Sequence, residues 1–188
     1  VEEEILGNLA NLVPLQVTDP EAFFPEAENC EALLNTYGGP ITADIMARMP
    51  NCKIIARYGI GVDTIDLAAA TEAGIIVTNN PTYCIEEVAE HTLAMLLTCA
   101  RKIAFYDRLV RKGEWAVPPG KPMFRLAGST IGLIGFGNIA RRVARGAASL
   151  DMRVLYSDPF VEAGQFDVSG EKVELEDSVE PIISEIFR

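Results

Sequence analysis

Two clusters in this chain combine residue types and spacing that could do chemistry. The first is Gly135-Phe136-Gly137-Asn138-Ile139-Ala140, with a carboxylate, Asp158, about 20 residues further on. A strand-like run, Thr130-Ile131-Gly132-Leu133-Ile134, leads into it. A helical pattern continues from Arg141 to Leu150, and a second apolar run, Arg153 to Tyr156, ends at Ser157-Asp158. Strand, glycine loop, helix, strand and acid is the order in which backbone amides can hold a diphosphate while a carboxylate takes the hydroxyls of a sugar. Gly135 lets the chain turn sharply out of the strand, Gly137 leaves room for a pyrophosphate, and small Ala140 lets the helix lie close to the sheet. Amides from Asn138 and Ile139 onward open the helix, with its dipole behind them. A 2′-phosphate at Asp158 would meet a like charge, and Pro159-Phe160 supply no arginine to receive it, so NAD is favoured over NADP. An ordinary glycine turn, or the glycine loop that methyltransferases place after a first strand, are the competing readings.

The second cluster, Arg57-Tyr58-Gly59-Ile60-Gly61-Val62-Asp63, directly follows the buried-strand pattern Lys53 to Ala56. Ligands of parallel sheets gather outside the carboxyl ends of strands. Two glycines there expose amides that can hold a carboxylate, and Arg57 could add a bidentate partner. The alternative is a plain strand-to-helix turn in which Asp63 or Asp66 caps the helix.

The remaining reactive side chains point nowhere in particular. Cys30, Cys52, Cys84 and Cys99 form no C-x-x-C pair and no metal-ligand spacing with the sole histidine, His91, so no metal site is expected and the thiols are read as free in a reducing cytoplasm. His91 sits within a helical pattern and reads as a packing or hydrogen-bonding residue rather than a catalyst. The net charge of −11 is uneven: residues 1–50 hold nine acids and one base, residues 160–188 eight acids and two bases, and the stretch between ten acids and thirteen bases. A weakly positive centre between acidic ends suits a small anion and argues against nucleic acid. No apolar run approaches the roughly 20 residues that span a membrane. The acidic start, Val1-Glu2-Glu3-Glu4, is unlike a signal peptide and lacks an initiator methionine, which reads as a processed or cut chain.

The elements that must position these clusters alternate. Glu2 to Asn11 has helical spacing, Leu12 to Val17 reads as a short strand, and Ala32 to Asn35 as another, stopped by Gly38-Gly39-Pro40. Thr42 caps a helix running to Met49, Lys53 to Ala56 is a strand, Asp66 to Ala73 a helix closed by Gly74, and Ile75 to Thr78 a strand. Glu86 to Lys112 carries the longest helical pattern, ended by Gly113. After Asp158, residues 164–170 read as loop, Lys172 to Leu175 as a strand and Glu180 to Phe187 as a frayed helix. Such alternation predicts an α/β protein with parallel sheets. Only the first half of a six-stranded dinucleotide domain is expected here.

Taken together, Arg57 to Asp66, Asn80 to Thr92, Gly113-Glu114-Trp115 and the Gly135 loop resemble the D-isomer-specific 2-hydroxyacid dehydrogenases, nearest to the C-terminal-binding-protein-like branch, with the phosphoglycerate and glycerate dehydrogenases next. The resemblance covers nearly all of residues 1–162. It implies a flavodoxin-like substrate domain over residues 1–83, and from residue 84 a Rossmann-type NAD-binding domain, incomplete, that includes a long interdomain and dimer helix at 86–112. It implies a homodimer and a small 2-hydroxy or 2-keto acid as substrate. By position, Tyr58, Gly59, Ile60 and Gly61 would line the substrate carboxylate site with Arg57 beside it. Thr92 would touch the cofactor, Gly135, Gly137, Asn138 and Ile139 would hold the pyrophosphate, and Asp158 with Pro159 would meet the adenosine ribose. The family's arginine, histidine and carboxylate for hydride and proton transfer fall beyond the Asp158 position. The 188-residue chain is therefore expected to contain none of them and not to turn over substrate itself. A non-catalytic, NAD-sensing protein-binding module is the alternative that the nearest branch implies. Asp151 stands where the family commonly has glycine, a place that needs positive φ, and Thr64 replaces a common asparagine.

Overall fold

The computed structural model describes residues 2–15, 17–24 and 26–161, with two further strand segments at 166–168 and 171–175. The chain divides into two compact units, Val1–Tyr83 and Cys84–Arg188.

In the first unit, strands β1 (Ala32–Asn35), β2 (Ile54–Arg57) and β3 (Ile76–Thr78) form a parallel sheet in that order. Helix α1 (Glu2–Leu6) precedes them, α2 (Ala43–Ala47) joins β1 to β2, and α3 (Leu67–Glu72) joins β2 to β3. Both crossover helices start on the caps their sequences supply: Thr42 Oγ1 accepts from the Ile45 amide at 3.4 Å, and Asp66 Oδ1 from the Ala69 amide at 2.9 Å. Gly74, at φ +71°, closes α3 in the left-handed region that favours glycine. Ile41, Ile45, Met46, Met49, Ile55, Ile65 and Ala70 form the core beneath the sheet.

The second unit begins with α4 (Ile85–Ala100) and α5 (Ile103–Arg111), then β4 (Thr130–Ile134), α6 (Asn138–Ala148) and β5 (Arg153–Ser157). β4, β5 and β7 (Glu171–Leu175) are parallel, and β6 (Phe166–Val168) runs antiparallel along β7, giving the order β4-β5-β7-β6. α6 packs against α4 so closely that a Cβ on Gly146 would overlap the Leu93 side chain. Below the sheet Phe136 and Tyr156, both fully buried, stack with ring centroids 3.8 Å apart and planes 19° from parallel. Such a pair adds about 0.5–1.5 kcal/mol beyond the apolar area it buries.

Four expectations from sequence are corrected. The helix expected to Asn11 ends at Leu6, where Leu9 and Ala10 both donate to the Leu6 carbonyl and close a turn. No strand forms among the described residues of Leu12 to Val17; Pro14 has no amide to give a ladder, although Leu15 still packs on the core. The long helix at 86–112 is two helices, broken where Lys102 adopts φ +53°. The stretch expected to be loop at 164–170 contains β6. The frayed helix expected at Glu180 to Phe187 lies outside the described residues.

Candidate functional site

The Gly135 loop is built from the end of β4. Gly135 takes φ +87°, a conformation L side chains rarely adopt, and its amide donates to the Ser157 carbonyl at 2.8 Å, so the turn is pinned to the neighbouring strand. Gly137 is different. Its φ of −76° is open to any residue, and a Cβ built there meets nothing within 4 Å. Neither backbone strain nor a protein neighbour asks for glycine at 137; the open space beside it is where a ligand's phosphates would lie. α6 starts at this point with no side-chain cap. Its first intrahelical bond is Arg141 N to Gly137 O, at 3.0 Å, which leaves the amides of Asn138, Ile139 and Ala140 with no helical acceptor. Uncapped amides, the positive end of a helix dipole and an open glycine together fit a pyrophosphate.

Asp158 sits across the same loop. Its Oδ2 accepts from the Phe136 amide at 2.6 Å and its Oδ1 from the Phe160 amide at 2.8 Å, so the carboxylate straps the glycine turn to the end of β5. These two amides, Phe136 first, hold its carboxyl below the usual range, and Arg141 adds to the effect. An ionised carboxylate offers about four lone-pair sites, more than these backbone amides occupy. Pro159 occupies the turn between Asp158 and Phe160, a position that tolerates its missing amide. The Arg141 Nε donates to the Phe136 carbonyl at 3.0 Å, which fixes the other side of the loop. Thr92, on α4, donates its hydroxyl to the Val88 carbonyl of its own helix at 2.7 Å. His91 is exposed on α4 rather than packed.

The Arg57 loop shows a second arrangement that sequence reading only half anticipated. Its carbonyls are tied down: Gly59 O accepts from the Asn80 amide at 3.2 Å, Ile60 O from Asn79 Nδ2 at 2.8 Å, and Gly61 O from Arg57 Nε at 3.2 Å. Among the described residues no protein acceptor is assigned to the amides of Gly59, Ile60 and Gly61. With carbonyls held and donors left over, the loop presents net positive character, the backbone equivalent of an anion nest. Arg57 acts as a framework for this loop, since its Nη1 also reaches Asn35 Oδ1 at 3.2 Å, and buried Asn35 donates to the Gly38 carbonyl at 2.6 Å. Tyr58 is half-exposed and its hydroxyl donates to Glu2 Oε1 at 3.0 Å. Burial first, and then Glu2, push the Tyr58 phenol up. Asp66 meanwhile caps α3, so the capping alternative and the anion-loop reading describe different residues of one turn. Asn79 escaped sequence reading, and Asn80 entered it only as the start of the Asn80 to Thr92 stretch. The signal for Asn79 was an amide side chain directly after a strand, while Asn80 contributes its backbone amide.

The described residues contain no group of three or more His, Cys, Asp or Glu side chains placed to hold a metal, and no helix long and apolar enough to cross a membrane.

The chain resembles known proteins over most of its length. Residues 2–180 match the family model for the D-isomer-specific 2-hydroxyacid dehydrogenase catalytic domain. A hydroxypyruvate reductase from Thermotoga maritima is 41% identical over 163 residues, which cover 85% of this chain and 53% of that protein. A glyoxylate reductase from Korarchaeum cryptofilum is 39% identical over 135 residues, covering 70% of this chain and 40% of the relative. The structure of D-lactate dehydrogenase from Aquifex aeolicus, complexed with NAD and lactic acid, superposes with a TM-score of 0.82 at 26% identity, covering 98% of this chain and 54% of that one. The chain thus spans about half the length of the relatives it matches. With a glycine loop opening onto an uncapped helix, a carboxylate strapped across it and a family model matched over nearly the whole chain, this protein belongs to the D-isomer-specific 2-hydroxyacid dehydrogenase family.

Proposed function

We propose that the protein to which these residues belong is an NAD-dependent oxidoreductase acting on a small 2-hydroxy or 2-keto acid. When bound, NAD would supply a hydride acceptor or donor for carbon 2 of the acid. The chain's own residues bind and orient. The amides of Asn138, Ile139 and Ala140 take the pyrophosphate, Gly135 and Gly137 make the space, and Asp158 with Pro159 holds the adenosine ribose and turns away a 2′-phosphate. Thr92 contributes from α4. The amides of Gly59, Ile60 and Gly61 hold the acid's carboxylate, with Tyr58 at the loop's outer side and Arg57 keeping the loop in shape. No residue of this chain is assigned the proton transfer, and residues 1–188 alone are proposed to bind both ligands without turnover.

The observation that carries this reading is Gly137, a glycine with no conformational or internal steric reason to be one, at the mouth of an uncapped helix. The test is equilibrium binding of NADH to the purified chain by cofactor fluorescence, paired with amide NMR of the Gly59 to Gly61 loop during titration with glyoxylate. Saturable NADH binding and shifted loop amides are expected. Absence of NADH binding sinks the cofactor assignment, and unmoved loop amides sink the carboxylate site.

We also propose a homodimer in the cytoplasm. Val88 and Met95 on α4, and Ile103 and Val110 on α5, are exposed apolar residues spaced seven apart, so each pair shares one helix face that a second copy can cover.

A further inference from the structure

The cofactor and carboxylate loops leave one reactive cluster unused, at the opposite ends of the strands that carry Arg57. β1 and β2 pair in parallel with a constant offset, Ala32 opposite Ile54 through Asn35 opposite Arg57. The pairing runs one residue further back, because the Lys53 amide donates to the Glu31 carbonyl at 2.9 Å and the Lys53 ammonium meets the Glu31 carboxylate at 2.7 Å. One more step of the same offset sets Cys30 opposite Cys52. Neighbouring strands lie about 4.8 Å apart, inside the roughly 4.4–6.8 Å between Cα atoms that a disulfide spans.

Their side chains share the surroundings of Met49. The Cys30 Sγ lies 3.9 Å from Met49 Sδ, and the Cys52 thiol donates to the Ile54 carbonyl at 3.5 Å. Both cysteines face the first unit's core: Cys52 is buried within it and half-buried Cys30 packs against its edge. Of the two thiols, half-buried Cys30 is the one open to a reagent from solvent.

We propose that Cys30 and Cys52 are a latent redox pair that forms an intrachain disulfide across the start of β1 and β2. The oxidant is a low-molecular-weight disulfide. The Cys30 thiolate attacks one of its sulfurs, breaking the reagent's S–S bond, forming a mixed disulfide and releasing one small thiol. The Cys52 thiolate then attacks the Cys30 sulfur and expels the second. Two protein thiols lose two electrons and two protons, and one small disulfide becomes two small thiols. Burial, and after it the Cys52 sulfur, push the Cys30 thiol up to about 11. Burial also raises Cys52. The pair is consequently quiet at neutral pH, and its oxidation accelerates with alkalinity as the thiolate fraction grows. The bond would tie the entry of β1 to the entry of β2, as Arg57 and Asn35 tie their exits.

The experiment uses the 188-residue chain with Cys84→Ser and Cys99→Ser, which leaves only the pair. It is incubated with oxidised glutathione at about pH 9, where thiolate chemistry is accessible, then quenched with acid and digested with trypsin. No lysine or arginine precedes Arg48, so Cys30 falls in the peptide 1–48 and Cys52 in Met49–Lys53. The expected product is those two peptides joined, with free thiols falling from two to none, no retained glutathione, and a rate rising about tenfold per pH unit below the thiol range. A guanidinium-unfolded control shows that the reagent is competent. Persistent glutathione on Cys30 with Cys52 still free, or no reaction in the folded chain while the unfolded control oxidises, overturns the proposal. So does equal accumulation of the mixed disulfide in the chain and in its Cys30→Ser variant, because the adduct would then be on Cys52.

Discussion

At the scale of single residues, two glycines in one loop separate conformation from space. Gly135 needs its positive φ, so Gly135→Ala should destabilise the second unit by about 1–2 kcal/mol, the cost of forcing an L-residue into the left-handed region. Gly137 has an ordinary backbone and an empty flank. Gly137→Val should cost no more than about 1 kcal/mol of stability, the difference between glycine and valine at a helix N-cap, yet weaken NADH by at least about tenfold, or 1.4 kcal/mol. Thermal melts and NADH titrations on both variants check the contrast, and equal effects on both readouts would remove the ligand-space argument. Asp158 gives a pH prediction. Its folded-state pKa is depressed by the Phe136 and Phe160 amides, so its contribution is fully present above the ordinary carboxylate range and lost only as pH falls through the lowered value. The Phe136 amide shift should stay flat around neutral pH and move in acid with a midpoint below the ordinary carboxylate value. A midpoint at or above the ordinary value would contradict the strap. Sequence spacing placed Asp158 just past the second strand, where the structure has it. Its grip on the loop was not legible, because the direction of the Phe136 amide depends on the turn Gly135 makes.

At the scale of elements, the strands and caps flanking both loops were readable from local pattern, since Thr42, Asp66 and Gly74 act on their immediate neighbours. The α4–α5 break was not. The apolar pattern runs through residues 97–103 without glycine or proline, yet Lys102 takes φ +53°. The reason is tertiary: the Arg101 guanidinium reaches the Phe124 carbonyl at 3.5 Å, and the Tyr106 hydroxyl donates to the Val117 carbonyl at 2.6 Å, so α5 is aimed by a distant segment rather than by its own periodicity. Gly120 lies under Tyr106 with no room for a Cβ, which makes that segment fit only one direction of α5. A lysine in the left-handed region costs about 1 kcal/mol, so Lys102→Gly should stabilise the chain by about 0.5–1 kcal/mol and Lys102→Val should destabilise it. Urea melts decide; a loss of stability with glycine would mean that α4 and α5 are one continuous helix in solution. Among the described residues of Leu12 to Val17 no strand forms for a simpler reason: Pro14 cannot join a ladder.

At the scale of the whole molecule, each unit owns its core and one of the two loops, so ligands should act on separate parts of the chain. The division at residue 83 coincides with the change from an alternating strand-helix pattern to the helical stretch of α4 and α5. The antiparallel β6 was not, since three residues carry too little periodicity to distinguish strand from loop. Met95→Glu with Val110→Glu should convert the proposed dimer to monomer in light scattering while leaving NADH binding intact, because neither residue belongs to the cofactor loop. A parent chain that is monomeric at the outset removes the dimer. Linkage supplies the sharper prediction. A ligand at 100 times its Kd stabilises the structure that binds it by about 2.7 kcal/mol. Hydrogen exchange with saturating NADH should therefore slow at 134–141 and at Phe160, whose amide is held by Asp158, and glyoxylate should slow exchange at Gly59 to Gly61. Protection by NADH that appears only at 54–61, or glyoxylate protection confined to 134–141, would show that the two loops had been given each other's ligand. In the Gly137→Val variant the NADH effect should vanish at 134–141 while the glyoxylate effect at 59–61 survives, because the substitution fills the space beside its own loop and leaves the sequence of the other loop unchanged.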